Sequence, residues 1–247
     1  MRHILSPRNV GVLAQYAQTN VLLAFDYDGT LAPIVRDPAK ARMRARTKKA
    51  LEQVAQRYPT AVISGRGRAD VAAMLEGISL VAILGSHGLD PGKGIERFER
   101  EVRRWMAPLQ RELLGIPGVE IEDAHACLAI HYRKSAARRK AARAIRDAVA
   151  RRVDGARVIG GKCVVNVIPA GAPHKGQALE TLRRKTRTET ALYVGDDQTD
   201  EDVFALDQPQ NILGIRVGRG ASTHAPYYLR DQSEVDLLLT RLARLRS

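Results

Sequence analysis

The stretch Val21-Leu22-Leu23-Ala24-Phe25-Asp26-Tyr27-Asp28-Gly29-Thr30 decides the fold. Its five consecutive apolar residues predict a strand buried on both faces, the habit of parallel sheets covered by helices. The strand runs straight into two carboxylates, one residue apart, and then into Gly-Thr. Unpaired carboxylates are costly to take out of water, so acids ending a buried strand call for a cation, a loop of backbone amides, or both. The glycine lets the backbone approach a ligand closely. Taken alone, the stretch also fits a strand followed by an ordinary Asp-Gly turn.

The flanking chain places this strand in a sheet. Residues 7–18 predict a short helix after Ser6-Pro7, and residues 44–57 a second helix that ends before Pro59. Thr60–Ile63 reads as another short buried strand, leading into Ser64-Gly65-Arg66. A helix over 68–76 closes at Gly77, and a third strand over 80–84 ends in Gly85-Ser86-His87-Gly88. Strand and helix in alternation predict an α/β fold with a doubly wound parallel sheet.

After residue 97 the rhythm changes. A longer helix over 97–114 precedes strands at 119–122 and 127–133. A basic helix over 135–152 leads into a second hairpin, 157–159 and 163–168, with Gly160-Gly161 as its turn. This order predicts a separate antiparallel layer: a cap domain at 97–172, inserted between core segments 1–96 and 173–247. The α/β pattern then resumes with a helix from Lys175 to about 186 and a strand over 191–194. That strand ends in Gly195-Asp196-Asp197-Gln198-Thr199-Asp200-Glu201-Asp202. A strand over 211–217 and a helix over 233–245 complete the chain.

Composition narrows the function classes. A length of 247 residues suits one large domain, or a core with a smaller insert. Hydrophobic residues at 45% exclude disordered and fibrous classes. Aromatics at 4% leave little for base stacking, which argues against a nucleic-acid partner. No apolar run approaches the roughly 20 residues that span a bilayer. The first twenty residues lack the apolar centre of a signal peptide, and Cys127 and Cys163 are too few for a disulfide framework. A cytoplasmic protein without a membrane partner is therefore expected.

The net charge of +13 and pI near 10.2 favour anionic partners without choosing among nucleic acid, lipid and a small phosphorylated molecule. Between Arg97 and Lys162, 16 basic residues face 8 acidic ones, a local excess of +8. Much of it lies in Arg133-Lys134 and in the run from Arg138 to Arg146, where Ala137, Ala141, Ile145 and Val149 recur at helical spacing. That run reads either as a solvated helix face or as a binding patch.

The second acidic cluster carries the chemistry. Asp196 ends one apolar strand as Asp26 ends another, and ligands of doubly wound sheets bind outside the carboxyl ends of strands where the winding reverses. If these strands are neighbours, Asp26, Asp28 and Asp196 converge. All-oxygen ligation of that kind suits Mg²⁺. Acids at the positive end of a helix dipole would account for Asp200 and Glu201, but not for the same arrangement at two strand ends. Ser64 offers a hydroxyl and an amide to a phosphate oxygen, and Lys175 offers an ammonium at a helix start. Each of these alone is equally an ordinary turn or cap.

Their order is specific: D-x-D-G-T, a strand-end Ser, Lys, then G-D-D-x-x-D. It resembles the haloacid-dehalogenase-like (HAD) superfamily of aspartate-nucleophile phosphatases. Asp26-Tyr-Asp-Gly-Thr-Leu-Ala-Pro, Val62-Ile-Ser-Gly-Arg66, Gly85-Ser-His-Gly88, His131-Tyr-Arg133, Gly161-Lys-Cys-Val-Val, Lys175-Gly and Gly195 to Asp202 together resemble trehalose-6-phosphate phosphatases, from about residue 20 to 225. The resemblance implies a Rossmann-like core with a C2-type αββαββ cap. It also implies a Mg²⁺-dependent phosphatase that forms an aspartyl-phosphate on Asp26. Asp28 would serve as general acid and base, with Ser64 and Lys175 on the phosphoryl oxygens. Asp26, Asp28 (through its carbonyl), Asp196 and Asp200 would serve the metal. Arg66, His87, Arg133 and Asn166 would join Ser64 and Lys175 in binding substrate; for His87 a turn-stabilising hydrogen bond is the rival role. A monomer acting on a small sugar phosphate is implied.

Two departures bear on the sugar. After His87-Gly88 the family continues with an acid and a nearby Arg, where this chain has Leu89-Asp90-Pro91-Gly92. The family carries Glu where this chain has Asn166, which changes the hydrogen bonds offered to sugar hydroxyls. Sucrose 6-phosphate or a glycosyl-phosphoglycerate therefore stands beside trehalose 6-phosphate as a candidate substrate.

Overall fold

The computed structural model describes residues 1–246 apart from 36, 38–39, 90–94, 125 and 207–209. The elements in chain order are β1 (Arg2–His3), α1 (Val10–Ala17), β2 (Val21–Phe25), α2 (Ala45–Ala55), β3 (Thr60–Ile63), α3 (Arg68–Met74) and β4 (Ala82–Leu84). They continue with α4 (Ile95–Leu113), β5 (Glu120–Asp123), β6 (Leu128–His131), α5 (Arg138–Arg152), β7 (Ala156–Gly161) and β8 (Val164–Pro169). The last are α6 (Lys175–Thr186), β9 (Thr190–Gly195), α7 (Glu201–Phe204), β10 (Ile212–Val217), β11 (Tyr227–Leu229) and α8 (Glu234–Leu245).

A seven-stranded parallel sheet runs in the order β1-β11-β10-β9-β2-β3-β4. Every residue of β2 is buried, because helices cover both of its faces. Leu23 and Phe25 pack with Leu51 of α2 and Leu238 of α8 on one side. Leu22 and Ala24 pack with Leu179 of α6 on the other. Each such side chain, fully withdrawn from water, contributes about 1.5–3 kcal/mol. The chain winds from β2 toward β3 and β4 in one direction, and from β9 toward β10 and β11 in the other. The reversal falls between β2 and β9, whose pairing sets Phe25 opposite Val194. Asp26 and Asp196 thus leave the sheet side by side.

A second, antiparallel sheet has the order β5-β6-β8-β7. Leu128, Ile130, Val165 and Val167 turn one face onto Val102, Trp105 and Leu109 of α4 and Ile145 and Val149 of α5. Strand alternation sends Ala129, His131, Val164 and Asn166 to the opposite face, toward the carboxyl edge of the large sheet.

Local boundaries depart from the sequence expectations for identifiable reasons. The first helix begins at Val10 instead of 7, because Arg2–His3 is a short strand against β11 and Pro7 lies in the turn that follows it. Neither of these strands was legible. The second hairpin does not turn at Gly160-Gly161. Both glycines belong to β7, and Lys162-Cys163 make the turn, with Gly161 paired to Val164. A Cβ on Gly161 would lie 2.4 Å from Asp197 Oδ2, so the glycine serves close approach to the acidic loop. The third strand starts at Ala82, and Val81 is 51% exposed.

Candidate active site

The carboxyl ends of β2, β3 and β9 and the start of α6 meet beneath the small sheet. Asp26 follows β2 and is buried, its N–H donating to Val194 O at 2.9 Å. Lys175, the first residue of α6, is also buried and donates Nζ to Asp26 Oδ1 and Asp200 Oδ1, each at 2.7 Å. Asp200 accepts three further bonds: Tyr193 Oη donates at 2.6 Å, and the N–H groups of Asp196 and Asp197 donate at 2.8 Å. With four donors, Asp200 acts as the bracket that fixes Lys175 and the acidic loop. Gly29 has φ of +89°, and a Cβ there would fall 2.2 Å from Asp196 Oδ2. The Asp-Gly turn is thus imposed by the neighbouring acid.

Burial shapes the electrostatics. It pushes the Asp26 carboxyl well above its ordinary range, and Lys175 offsets only part of that. Burial would lower Lys175, but Asp200 and Asp26 outweigh it and hold the ammonium well above its usual value. For Asp200, burial is outweighed by Lys175, Tyr193 and a backbone amide, and the carboxyl lies below its ordinary range. Burial raises Asp196 to about 7, against the opposing pull of Lys162.

The fit to a divalent cation can be read from these acids. Carboxylate oxygens of Asp26, Asp196 and Asp200 lie within 4.8 Å of one another. Asp196 Oδ1 is buried without a hydrogen-bond partner, while Lys162 Nζ approaches Oδ2 at 2.5 Å. An orphaned oxygen in a compact all-oxygen cluster suits a hard cation such as Mg²⁺. The side chain of Asp28 stands apart from this cluster, because Arg66 grips both its oxygens at 2.6 Å.

A cavity of about 130 Å³ connects these groups with the small sheet. Its walls include Asp26, Asp28, Arg66, His87, Arg133, Asn166, Lys175 and Asp196. Ser64 does not line it: buried just behind the wall, its Oγ accepts the N–H of Arg66 at 3.2 Å. His87 is buried beside Asn166, with no well-formed hydrogen bond to either ring nitrogen, and burial with Lys175 nearby lowers it to about 3, so the imidazole is neutral. Arg133 donates to Val35 O at 2.5 Å and to Lys162 O at 2.8 Å, tying the small sheet to the core. Arg157 and Asp202 make a second such tie at 2.9 and 3.1 Å. Of the stretch Leu89 to Gly92, residues 90–92 lie outside the described residues.

Lys162 and His131, quoted in the sequence only within family-like motifs and given no site role, also line the cavity, as does Glu122, which sequence reasoning passed over. Lys162 stood in plain view after Gly160-Gly161, but assigning the turn to the glycines hid its place at the hairpin tip. Glu122 and His131 lie nine positions apart on paired strands, with His131 Nε2 donating to Glu122 Oε2 at 2.7 Å. No local spacing announces such a pair.

Comparison with known proteins identifies the family of the chain. The family model described as "Trehalose-phosphatase" matches residues 24–233. Trehalose-phosphate phosphatase B of Arabidopsis thaliana is 31% identical over 90% of this chain and 66% of its own length. Probable trehalose-phosphate phosphatase 9 of Oryza sativa subsp. japonica is 34% identical over 90% of this chain and 69% of its own. The chain thus spans about two thirds of these relatives. The C-terminal domain of trehalose-6-phosphate phosphatase from C. albicans superposes with a TM-score of 0.76, covering 96% of this chain and 97% of that one at 23% identity, a likeness of fold. With a doubly wound core, a separate antiparallel cap sheet and a match over most of its length, the chain belongs to the trehalose-phosphatase family.

Proposed function

We propose that the chain hydrolyses trehalose 6-phosphate, carrying the phosphoryl group transiently on Asp26. The observation that carries this reading is the buried Asp26–Lys175 pair at the reversal of the sheet, opening into a cavity under the cap. Lys175 holds Oδ1 of Asp26, which leaves Oδ2 to attack phosphorus. The same ammonium neutralises the phosphoryl oxygens. Asp28 protonates the departing sugar oxygen and then takes a proton from the attacking water, with Arg66 holding its carboxylate toward the cavity. Asp26, Asp196 and the carbonyl of Asp28 would hold Mg²⁺, oriented by Asp200; the cation lowers the repulsion between the nucleophile and an anionic phosphate.

The cap, taken as residues 97–172, selects the leaving group. Asn166, Glu122 and His131 present an amide, a carboxylate and an imidazole to the sugar. The cavity of about 130 Å³ is smaller than the roughly 300–1,000 Å³ of small-molecule sites, so the cap lifts to admit a disaccharide phosphate. A second reading keeps the chemistry and changes the sugar. It rests on Asn166, an amide buried at the cavity wall where the resemblance in sequence implies a carboxylate. Unpaired Cys127 and Cys163 support the cytoplasmic setting, and among the described residues no helix is long and apolar enough to cross a membrane. The deciding experiment measures phosphate release from a panel of sugar phosphates, with and without Mg²⁺. Preference for another sugar phosphate over trehalose 6-phosphate would overturn the first reading; no release from any of them would overturn both.

A further inference from the structure

The cavity over Asp26 has an outer neighbour. A concavity of about 710 Å³ shares Ile34, Val35, Arg133 and Lys162 with the cavity wall and extends over Lys134 and Arg138. It continues across Arg139 and Lys140 on the first turn of α5. Arg133 is the partition between the two spaces, bridging Val35 O of the core and Lys162 O of the cap.

The outer groove is strongly basic. Lys134, Arg138, Arg139 and Lys140 are all exposed. Among the described residues, the carboxylate paired with any of these four is Glu120, 2.7 Å from Lys134. Three successive cations open α5, where the helix dipole is positive and acids are the stabilising residues. Ala137 at the N-cap supplies no side-chain acceptor to compensate. A helix that needed only a solvated face would be more stable with these charges elsewhere. Their grouping at this end concentrates positive potential where the groove runs into the catalytic cavity.

We propose that this groove is an anion-collecting antechamber: it gathers the phosphate dianion of the substrate from solution and delivers it past Arg133 to Lys162 and Lys175. A cleft lined by one sign of charge raises the local concentration of its counter-ion. The phosphate reaches the groove first, and the sugar follows toward the cap strands. The proposal rests on the phosphatase reading for its anion and does not depend on which sugar is attached.

The test replaces Arg138, Arg139 and Lys140 together by alanine, a change that keeps helix propensity and relieves the dipole. The melting temperature should therefore hold or rise, which separates the effect from misfolding. Both proteins are assayed, loaded with Mg²⁺, on p-nitrophenyl phosphate and on trehalose 6-phosphate, at about 0.02 M and about 0.5 M salt, which lie on either side of effective screening. At low salt kcat/KM of the variant should fall by about tenfold, through KM, with kcat unchanged. At high salt the two proteins should converge. Equal kcat/KM at low salt, a deficit that persists at high salt, or a deficit in kcat would overturn the antechamber. If trehalose 6-phosphate is hydrolysed by neither protein while p-nitrophenyl phosphate shows the salt-dependent gap, the sugar reading fails and the antechamber stands. Salt-sensitive binding of plain duplex DNA that the variant loses, with KM unaltered, would overturn the assignment to a small dianion.

Discussion

Lys175→Met removes one charge from the middle of the site and keeps the length of the side chain. In the native protein the ammonium bonds Asp26 and Asp200, each at 2.7 Å, and all three groups are buried. In the variant Asp200 keeps Tyr193 and two backbone amides, while Asp26 loses its side-chain donor. Removing one member of a buried ion pair costs about 3–5 kcal/mol, a large part of the roughly 5–15 kcal/mol that holds a domain together. A proton on Asp26 can offset this cost. Burial already raises that carboxyl above the 3.8 of an exposed aspartate, and the variant loses the Lys175 charge that opposes the rise. A group with a raised folded pKa takes up a proton on folding as the pH falls, so the deficit is greatest above its folded pKa and narrows on acidification. The native stabilisation that goes with the depressed pKa of Asp200 is lost only below the ordinary 3.8 of an aspartate, outside the range compared. Urea unfolding followed by circular dichroism, in chelator at about pH 8 and about pH 5, measures both quantities. The native protein should exceed the variant by about 3–5 kcal/mol at the higher pH and by less at the lower. A gap below about 1 kcal/mol at the higher pH, or one that widens on acidification, would refute the account of Lys175 as the counter-ion of Asp26.

Asp28→Asn should slow release from sugar phosphates far more than from p-nitrophenyl phosphate, whose leaving group scarcely needs a proton. Equal losses on both substrates would remove Asp28 from the proton transfer. Chelation should abolish turnover and Mg²⁺ restore it; full activity in excess EDTA would exclude the metal from the reaction. Asn166→Glu should raise kcat/KM for trehalose 6-phosphate about ten- to a hundredfold, the worth of one added charge-assisted hydrogen bond, while p-nitrophenyl phosphate hydrolysis stays level. A parallel change on both substrates would mean that position 166 acts on the catalytic centre or on folding.

What was legible in the sequence follows the range of the forces involved. The run Val21–Phe25 showed its strand because burial on both faces makes every residue apolar. The acids after β2 and β9 showed their convergence because the sheet reverses between those strands. Side-chain contacts that close the site left no such trace. Tyr193, an apolar-looking residue within β9, proves to be a donor to Asp200. Arg66 reads as the end of a Ser-Gly-Arg turn, yet it grips Asp28 from 38 positions away. Gly160 and Gly161 read as a turn by composition, whereas their lack of side chains serves the approach of β7 to Asp197 and Gln198. In each case the deciding partner is a side chain brought near only by the tertiary fold.

Chemistry and selection are secured by different means. The acids proposed for the chemistry are fixed largely by backbone: Asp26 by the β2–β9 ladder, Asp196 by the close passage of Gly29, and Asp200 by two amides of its own loop. A substitution elsewhere leaves such a scaffold in place. The cap offers its polar residues as side chains on alternating strand positions, with Val165 and Val167 anchoring the strand from the other face. Asn166 lies on the face opposite that packing, at the cavity wall beside His87. Under the proposed function, the amide at position 166 bears on which sugar hydroxyls are recognised and not on the phosphoryl chemistry.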